Sequence, residues 1–402
     1  MYFTSMSLVY LAYFGFLSFL ALTVLYVLLF AVAGRLGKAD DSGPLPQTPR
    51  LRRIGVLIPA YKEDAVIIDS VKANLRQQYP AELFDLIVIA DSMQPATLAR
   101  LADLPIRVME VSFEVSTVAK ALNAALARIP DGQYDIMVVA DADNIMAPDF
   151  LVRINAAFEQ GWRAVQGHRV AKNTNTGVAL LDAISEEINN HIFRKGTRSL
   201  GLSSPVIGSG MAFDLRLMKA CMTNLRTMGG YDKELEINVE LNGYIIGYLE
   251  QAYIYDEKVA QRAIFENQRT RWIAAQFQFL RMYYKKGLAE LAQGHPTPAL
   301  SMLRQVVLPR VLLLGVLGLC TLLALLTFNP ALWAAPMALL ITLCFSLFIS
   351  IPAYLRQRVT LRELMLIPML MLSFGRAVLN MRKAFKRFMH TPHTGSPDVH
   401  VP

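Results

Sequence analysis

Apolar and polar positions alternate along this chain on two different scales. At the ends the apolar runs are long: "LVYLAYFGFLSFLALTVLYVLLFAVA" (8–33), "VLLLGVLGLCTLLALLTF" (311–328) and "LWAAPMALLITLCFSLFISIPAYL" (332–355). Each approaches or exceeds the ~20 residues that a helix needs to cross a bilayer. In the middle the runs are short and separated by helical patterns. "IGVLIPA" (54–60), "FDLIVIAD" (84–91), "IRVMEV" (106–111) and "YDIMVVADAD" (134–143) predict strands, with helices near 64–78, 117–129, 148–160 and 177–196. Unbroken apolar strands alternating with helices predict a mostly parallel α/β sheet covered on both faces. In such sheets ligands bind beyond the carboxyl ends of the strands.

The organisation that follows is a transmembrane anchor over 1–34, a cytoplasmic domain over 50–265, and a further segment over 266–305. A transmembrane hairpin over 306–355 and an interfacial helix with a tail over 356–402 complete it. "FQFLRMYYKKGLAEL" (277–291) mixes apolar, aromatic and basic residues and fits a helix along a membrane surface or an ordinary domain helix equally. "LMLIPMLMLSF" (364–374), short, broken by Pro368 and followed by basic residues, suits an interfacial helix. Ala31-Val32-Ala33 has the form of a signal-peptide cleavage site. No basic residue precedes the apolar run, however, and the run is long for a secretory signal, which favours a retained anchor. Arg35, Lys38, Arg50, Arg52 and Arg53, with Arg304, Arg310, Arg356 and Arg358, flank the spans and place the middle domain in the cytoplasm of an integral inner or plasma-membrane protein.

Composition agrees with a membrane protein: 54% of the 402 residues are hydrophobic and only 18% are charged. The net charge of +8 sits beside the apolar segments and lacks an aromatic-interleaved basic stripe, so nucleic acid is not an expected partner. Cys221, Cys320 and Cys344 have no motif spacing, which argues against a disulfide framework or a zinc site. Neither a GxGxxG nor a P-loop glycine pattern is present.

The candidate chemistry collects at the predicted strand ends: Tyr61 and Glu63, then Asp91, then Asp141 and Asp143. Two carboxylates at i and i+2 beyond a buried strand suit a hard cation such as Mg²⁺ or Mn²⁺, which takes oxygen ligands and keeps waters or substrate phosphate oxygens. They could equally be solvated loop acids. A second acidic group lies in "GGYDKELEINVELNGY" (229–244), where Asp232, Glu236 and Glu240 share one helix face; a solvated face has the same spacing.

Four features in order, "VLIPAYKED" (56–64), "VIADS" (88–92), "VVADADN" (138–144) and "NQRTRW" (267–272), resemble family 2 glycosyltransferases. The likeness is to the membrane-embedded synthases related to cellulose, chitin and hyaluronan synthases, and it covers roughly residues 54–290. It implies a GT-A fold that takes a nucleotide-diphospho-sugar, usually a UDP-sugar, and inverts the anomeric centre. Pro59, Ala60, Tyr61 and Glu63 would line the nucleoside pocket, Asp91 would bond the base, and Lys120 of "AKALNAAL" would lie near the nucleotide-sugar. Asp141 and Asp143 resemble the DxD pair, with Asp143 as the direct metal ligand. "VIGSGMAF" (206–213) is similar to the segment beside the acceptor sugar and brings in Gly208 and Ser209. Gln268, Arg271 and Trp272 match QxxRW, with Arg271 facing the diphosphate and Trp272 a sugar.

Inverting transfer needs one base to take the acceptor hydroxyl's proton. Aligning Gly243-Tyr244 on the family's Gly-Tyr puts Asp232 at that position, with Tyr231 replacing the family's first Glu; a register on "NVEL" would put Asn238 there instead. The resemblance implies a processive polysaccharide synthase. The alternatives are transfer of one sugar to a lipid acceptor and a silent transferase-like subunit. Three spans make a small channel for one protomer, which leaves assembly of protomers open.

Overall fold

The computed structural model describes residues 2–46, 49–223, 225, 229–258 and 262–384. The basic cluster beyond Ala384 and the two histidines of "FMHTPHTG" (388–395) lie outside them. The chain begins with helix α1 (Tyr2–Leu36) and enters the sheet domain through β1 (Ile54–Tyr61), α2 (Ile67–Asn74), β2 (Phe84–Asp91), α3 (Pro95–Ala102), β3 (Arg107–Val111) and α4 (Val118–Arg128). It continues through β4 (Ile136–Val139), β5 (Ile145–Met146), α5 (Phe150–Glu159), β6 (Ala164–Ala171) and α6 (Gly177–Asn189), which runs into a π-helical segment (Asn190–Gly196) and α7 (Thr197–Ser199). Then come β7 (Met211–Asp214), α8 (Leu215–Met222), α9 (Tyr231–Leu241) and β8 (Gly247–Asp256). The C-terminal part is helical: α10 (Arg262–Ala292), α11 (Pro296–Leu303), a 3₁₀ turn (Arg304–Val306), α12 (Arg310–Leu325), α13 (Pro330–Ser350), α14 (Ala353–Arg356) and α15 (Leu361–Ala384).

The sheet order is β3-β2-β1-β4-β7-β6-β8-β5. The four strands expected from the apolar runs form its parallel half, with β1 between β2 and β4. The strand read over 134–143 is confined to Ile136–Val139, which leaves its acids in a turn. β7 runs against both β4 and β6, while β6 and β8 are parallel, so the sheet is mixed. Side-chain alternation divides the strands between two cores. Ile54, Val56 and Ile58 pack with α2, α3 and α5 on one face; Leu57, Ile87 and Met137 pack with α4, α8 and α9 on the other.

A third core joins the membrane-type helices to the back of the domain. Leu20, Val24, Val27 and Phe30 of α1 pack with Leu180, Ile184 and Ile192, and with Leu313, Leu317 and Leu343 of α12 and α13. The approach is backbone to backbone: a Cβ on Gly196 would lie 2.3 Å from the Phe30 carbonyl oxygen. Below α1 the chain is fastened to β8. Asp40 takes hydrogen bonds from Arg198 (2.8 and 3.0 Å) and from the Tyr248 amide (2.8 Å), and Asp41 takes them from the Glu250 and Gln251 amides.

Among the described residues two helical stretches, Leu11–Leu36 and Pro330–Ile349, are long and apolar enough to cross a membrane. The middle expected span, 311–328, corresponds to α12, which has 16 residues, about 24 Å of helix against ~30 Å of hydrocarbon. It reaches spanning length only together with Pro296–Val306, from which it is bent by 54°. The predicted boundary at 265/266 falls inside α10, one continuous helix of 31 residues that carries QxxRW near its start. Similarly, the run at 364–374 belongs to α15, which continues through Pro368 for 24 residues.

Candidate active site

At the carboxyl edge of the parallel half, Tyr61 and Asp91 end β1 and β2 side by side in register. The next residues, Lys62 and Ser92, have φ of 56° and 57°, the left-handed region that non-glycine residues rarely adopt. Asp91 is 2% exposed; its Oδ1 accepts from Ser92 Oγ at 2.9 Å, while Oδ2 is buried without a hydrogen-bond donor among the described residues. A buried acceptor left unsatisfied is costly, so this oxygen marks a place where a ligand donor would be gained. In β1 and the turn after it, Pro59, Tyr61 and Glu63 are half-buried and Ala60 is buried. Lys120 is exposed in the first turn of α4, and its Nζ donates to the Val115 carbonyl at 2.7 Å.

Beyond β4 the chain makes a tight acid turn, closed by the Asn144 amide on the Asp141 carbonyl (3.0 Å). Asp143 is 4% exposed, so it is not a solvated loop acid. Its Oδ1 accepts from Asn144 Nδ2 (3.1 Å), and Lys172 Nζ donates to its carbonyl (2.6 Å). Asn144 also donates to Asp256 Oδ1 (3.2 Å), which ties the turn to the end of β8. Asp141 is half-buried at the rim. Two carboxylates and no nitrogen or sulfur ligand fit a hard cation that shares its remaining positions with waters and substrate oxygens.

Ser209 was expected at the acceptor, but it is wholly buried. Its hydroxyl donates to Asn144 Oδ1 (2.6 Å) and accepts from the Asp141 amide (3.0 Å), so it holds the acid turn in shape and is not presented to a ligand. Gly208 and Gly210 on either side have φ of 80° and 66°, the geometry that turns Ser209 inward. From Gly208 the site continues to the acid helix, because Tyr231 Oη donates to the Gly208 carbonyl (3.1 Å).

Gly230, at φ 76°, turns the chain into α9. Asp232 in its first turn is half-buried, and burial raises its carboxyl above the usual range, against a pull from Lys233, Arg169 and Arg304. Burial also pushes the Tyr231 phenol well up, with Asp141 and Asp232 adding to the effect, so the acid turn and Asp232 lie within electrostatic reach of one tyrosine. The other three acids of this helix are taken by protein partners. Glu234 accepts from Tyr283 Oη (2.6 Å), Glu236 pairs with Arg304 (2.7 Å), and Glu240 accepts from Ser301 Oγ (2.8 Å). The face at i, i+4, i+8 is therefore not solvated; it faces α11 and the 3₁₀ turn. Asn238 donates to the Cys221 carbonyl (2.8 Å) and fastens α9 to α8.

The QxxRW segment packs on the C-terminal helices. Ile273 packs with Leu370 and Phe374 of α15, and Ser373 Oγ donates to Glu266 (2.6 Å). Gln268 and Arg271 are half-buried; Gln268 Oε1 has no donor among the described residues, and burial lowers the Arg271 guanidinium below its ordinary value. Trp272 is 43% exposed and carries the guanidinium of Arg269 4.0 Å above its ring. Arg269, a residue that the motif leaves unspecified, pairs with Asp182 of α6.

The sequence reading also missed the buried ion network behind the acid turn. Arg169 pairs with Glu186 (2.9 Å), Lys258 with Asp256 (2.7 Å), and Arg194 with Glu186 (3.4 Å). Burial works against ionisation of Glu186, but the three cations Arg169, Lys258 and Arg194 outweigh it and hold the carboxyl well below the usual range. These charges lie on β6, on α6 and its π-helical extension, and at or just beyond the end of β8, at positions that belong to none of the recognised motifs.

Comparison with known proteins agrees with this geometry. Among curated relatives, glucans biosynthesis glucosyltransferase H of Rhodopseudomonas palustris (strain TIE-1) is 28% identical over 195 residues, 44% of this chain and 25% of that protein. Beta-monoglucosyldiacylglycerol synthase of Nostoc sp. (strain PCC 7120) is 24% identical over 239 residues, 56% of this chain and 49% of that one. The chain thus spans a quarter to a half of the length of these relatives. The solved mannosyltransferase PcManGT from Pyrobaculum calidifontis, in complex with GDP-Man and Mn²⁺, superposes with a TM-score of 0.51 at 17% identity, covering 82% of this chain and 97% of that one; the fold is shared. The pattern described as "Glycosyltransferase like family 2" matches residues 49–275, more than half of the chain. A GT-A sheet whose parallel strands end in Asp91 and in the Asp141–Asp143 turn, matched over that length, makes this protein a member of glycosyltransferase family 2.

Proposed function

We propose that this protein moves a sugar from a nucleotide-diphospho-sugar, a UDP-sugar in the first instance, to an acceptor at the cytoplasmic face of a membrane, with inversion. The observation that carries the proposal is one connected line of contacts. It runs from the acid turn through Ser209 and Gly208 to Tyr231, and ends at Asp232, the residue beside it. A metal-type carboxylate pair and a carboxylate of raised proton affinity thus flank a single edge of the sheet.

In this reading the buried Oδ2 of Asp91 accepts the N–H of the nucleobase, and Pro59, Ala60, Tyr61 and Glu63 enclose the nucleoside. Lys120, Gln268 and Arg271 serve the donor's phosphates, for which a guanidinium is suited by its planar fork. Asp143 and Asp141 would hold Mg²⁺ or Mn²⁺, which supplies charge neutralisation to the departing diphosphate. Asp232 takes the proton of the acceptor hydroxyl as its oxygen bonds to the anomeric carbon and the bond from that carbon to the diphosphate oxygen breaks. Burial favours this role, because it raises the proton affinity of a base that must hold the proton it receives. Gly208 and Trp272 flank the acceptor, and Trp272 offers an aromatic platform to a sugar face. The nucleotide-sugar and Mn²⁺ in PcManGT support the donor assignment by fold analogy.

The acceptor is taken to be a growing polysaccharide, as in the synthases that the motifs resemble, on a multi-pass protein anchored by α1 and α13. A second reading, addition of one sugar to a membrane lipid, is favoured by the helices themselves. Among the described residues two qualify as spans and a third only as a bent pair, which is little wall for a channel in one protomer. The test is UDP release and product length in purified micelles. UDP-glucose, UDP-N-acetylglucosamine, UDP-galactose and UDP-glucuronate would be supplied with and without Mn²⁺. A polymer supports the first reading, a single-sugar lipid the second, and UDP release unaffected by Asp232→Asn would overturn Asp232 as the base.

A further inference from the structure

We infer that Glu236 and Arg304 are a positioning pair through which helix α11 and its 3₁₀ turn hold Asp232 in place and balance the charge around it; this rests on Asp232 being the base. Glu236 lies one helical turn after Asp232, so their side chains are neighbours on one face of α9. It is wholly buried, and its Oε2 is 2.7 Å from the Arg304 guanidinium. The pair does not act alone. Lys233 Nζ donates to Gln305 Oε1 (3.1 Å), Ser301 Oγ donates to Glu240 (2.8 Å), and Ile237 packs with Phe279 and Met302. In turn Gln276 of α10 donates to the carbonyls of Gln305 and Val307 (2.9 and 3.0 Å). The first turn of α9 has no side-chain cap, so its placement depends on these contacts and on Tyr231. α11 and its turn are also the segment that reaches membrane-spanning length together with α12. The helix carrying the base is therefore set directly against the membrane-associated part of the chain.

Four groups besides Glu236 act on the charge of Asp232: Lys233 on its own helix, Arg169 from β6, Arg304 from the 3₁₀ turn, and the Tyr231 phenol, which also feels Asp141 of the acid turn. Glu240, pushed up to about 8 by burial and by Glu236, holds its proton through the acid range. Burial raises the Glu236 carboxyl above its ordinary range and the Arg304 guanidinium pulls it back; wherever Glu236 is ionised, it balances Arg304. Glu236→Gln leaves Arg304 uncompensated beside Asp232, and an added positive charge lowers the pKa of a carboxylate. The acid limb of kcat/KM should then move down by roughly 0.5–1 pH unit, a magnitude set by one unit charge at a distance of about 10 Å in partly solvated protein. The double variant Glu236→Gln/Arg304→Gln removes both charges, and the limb should return close to its original position although kcat stays low.

The experiment is a pH profile of sugar transfer by the full-length protein in micelles, with UDP affinity measured alongside. A limb that moves down in the single variant and back in the double one, at unchanged UDP affinity, is the expected result. A limb that stays fixed in Glu236→Gln while kcat falls would mean a packing role only, and would overturn the inference. If Glu236→Gln does not fold, Glu236→Asp keeps the charge and shortens the reach: kcat should fall with the limb unmoved, and full activity would overturn the positioning role. Failure of the underlying reading has a different signature, since an active Asp232→Asn enzyme refutes the base itself whatever the limbs do.

Discussion

Asp91 offers a test that separates ligand recognition from folding. Its Oδ2 is buried and lacks a donor among the described residues, while Oδ1 is held by Ser92. Asp91→Asn keeps the shape and replaces one unpartnered buried polar atom by another, so the ligand-free protein should change little, by less than ~1 kcal/mol or about 2–4 °C in melting temperature. Binding should change much more, because a hydrogen bond to a charged acceptor contributes ~1.5–3 kcal/mol, a factor of about 10–150 in affinity. With UDP at roughly 100 times the wild-type Kd, ligand binding stabilises the protein by ~2.7 kcal/mol. After the loss, the ratio of UDP to Kd drops to about 1–10 and that stabilisation to ~0.4–1.4 kcal/mol. Differential scanning fluorimetry with and without UDP and Mn²⁺ reads both quantities. The reasoning is refuted if Asp91→Asn keeps the full UDP-induced rise in melting temperature. It is refuted equally if the ligand-free protein collapses, which would make Asp91 a structural residue.

Three other outcomes are expected. Ser209→Ala deprives Asn144 Oδ1 and the Asp141 amide of their partner, so it should cost ~1–3 kcal/mol of stability and raise the Mn²⁺ concentration for half-maximal activity about tenfold, read by a metal titration. Glu240 holds its proton up to about pH 8 when folded but only to its ordinary 4.5 when unfolded, so the folded state binds more protons between these values and stability falls as pH rises through that window. Glu240→Gln should flatten this slope in denaturant titrations at a series of pH values. Gly196→Ala places a methyl 2.3 Å from the Phe30 carbonyl oxygen, where backbone cannot yield cheaply; proteolysis in micelles should cut the α1 junction faster, at a cost of roughly 1–3 kcal/mol.

The parallel half of the sheet was legible because its strands are buried on both faces and read as unbroken apolar runs, such as Ile54–Ala60. β6 and β8 were missed because they carry His168, Arg169 and Glu250 in place of apolar residues. His168 is satisfied by Glu187 (3.0 Å) and the Glu250 carbonyl (2.8 Å), partners far away in sequence that no local pattern shows. The same blindness hid the work of α9. Its acids have the spacing of a wet face, and only the fold brings Arg304, Ser301 and Tyr283 to cover them. Ser209 was found by motif but given the wrong neighbour, since the paired glycines that turn it inward reveal their positive φ only in three dimensions. Pattern placed the second span on 311–328, which is largely α12; the bend that joins it to α11 lies just before it, at Val307–Pro309, and no apolar run marks it.

Asp40 and Asp41 receive five hydrogen bonds from Arg198 and from the backbone of β8, directly after α1 leaves the third core. A loose tether would let the sheet domain roam over the bilayer and find acceptors at any height. This strap instead acts as a bracket of fixed length. If α1 stands in a membrane, as the proposed function has it, this bracket would hold the acid turn and Asp232 at one elevation above the lipid. Under the proposed function the reactive hydroxyl, whether on a glycan end or a lipid, would have to be presented at that elevation, so height would sort acceptors before chemistry does.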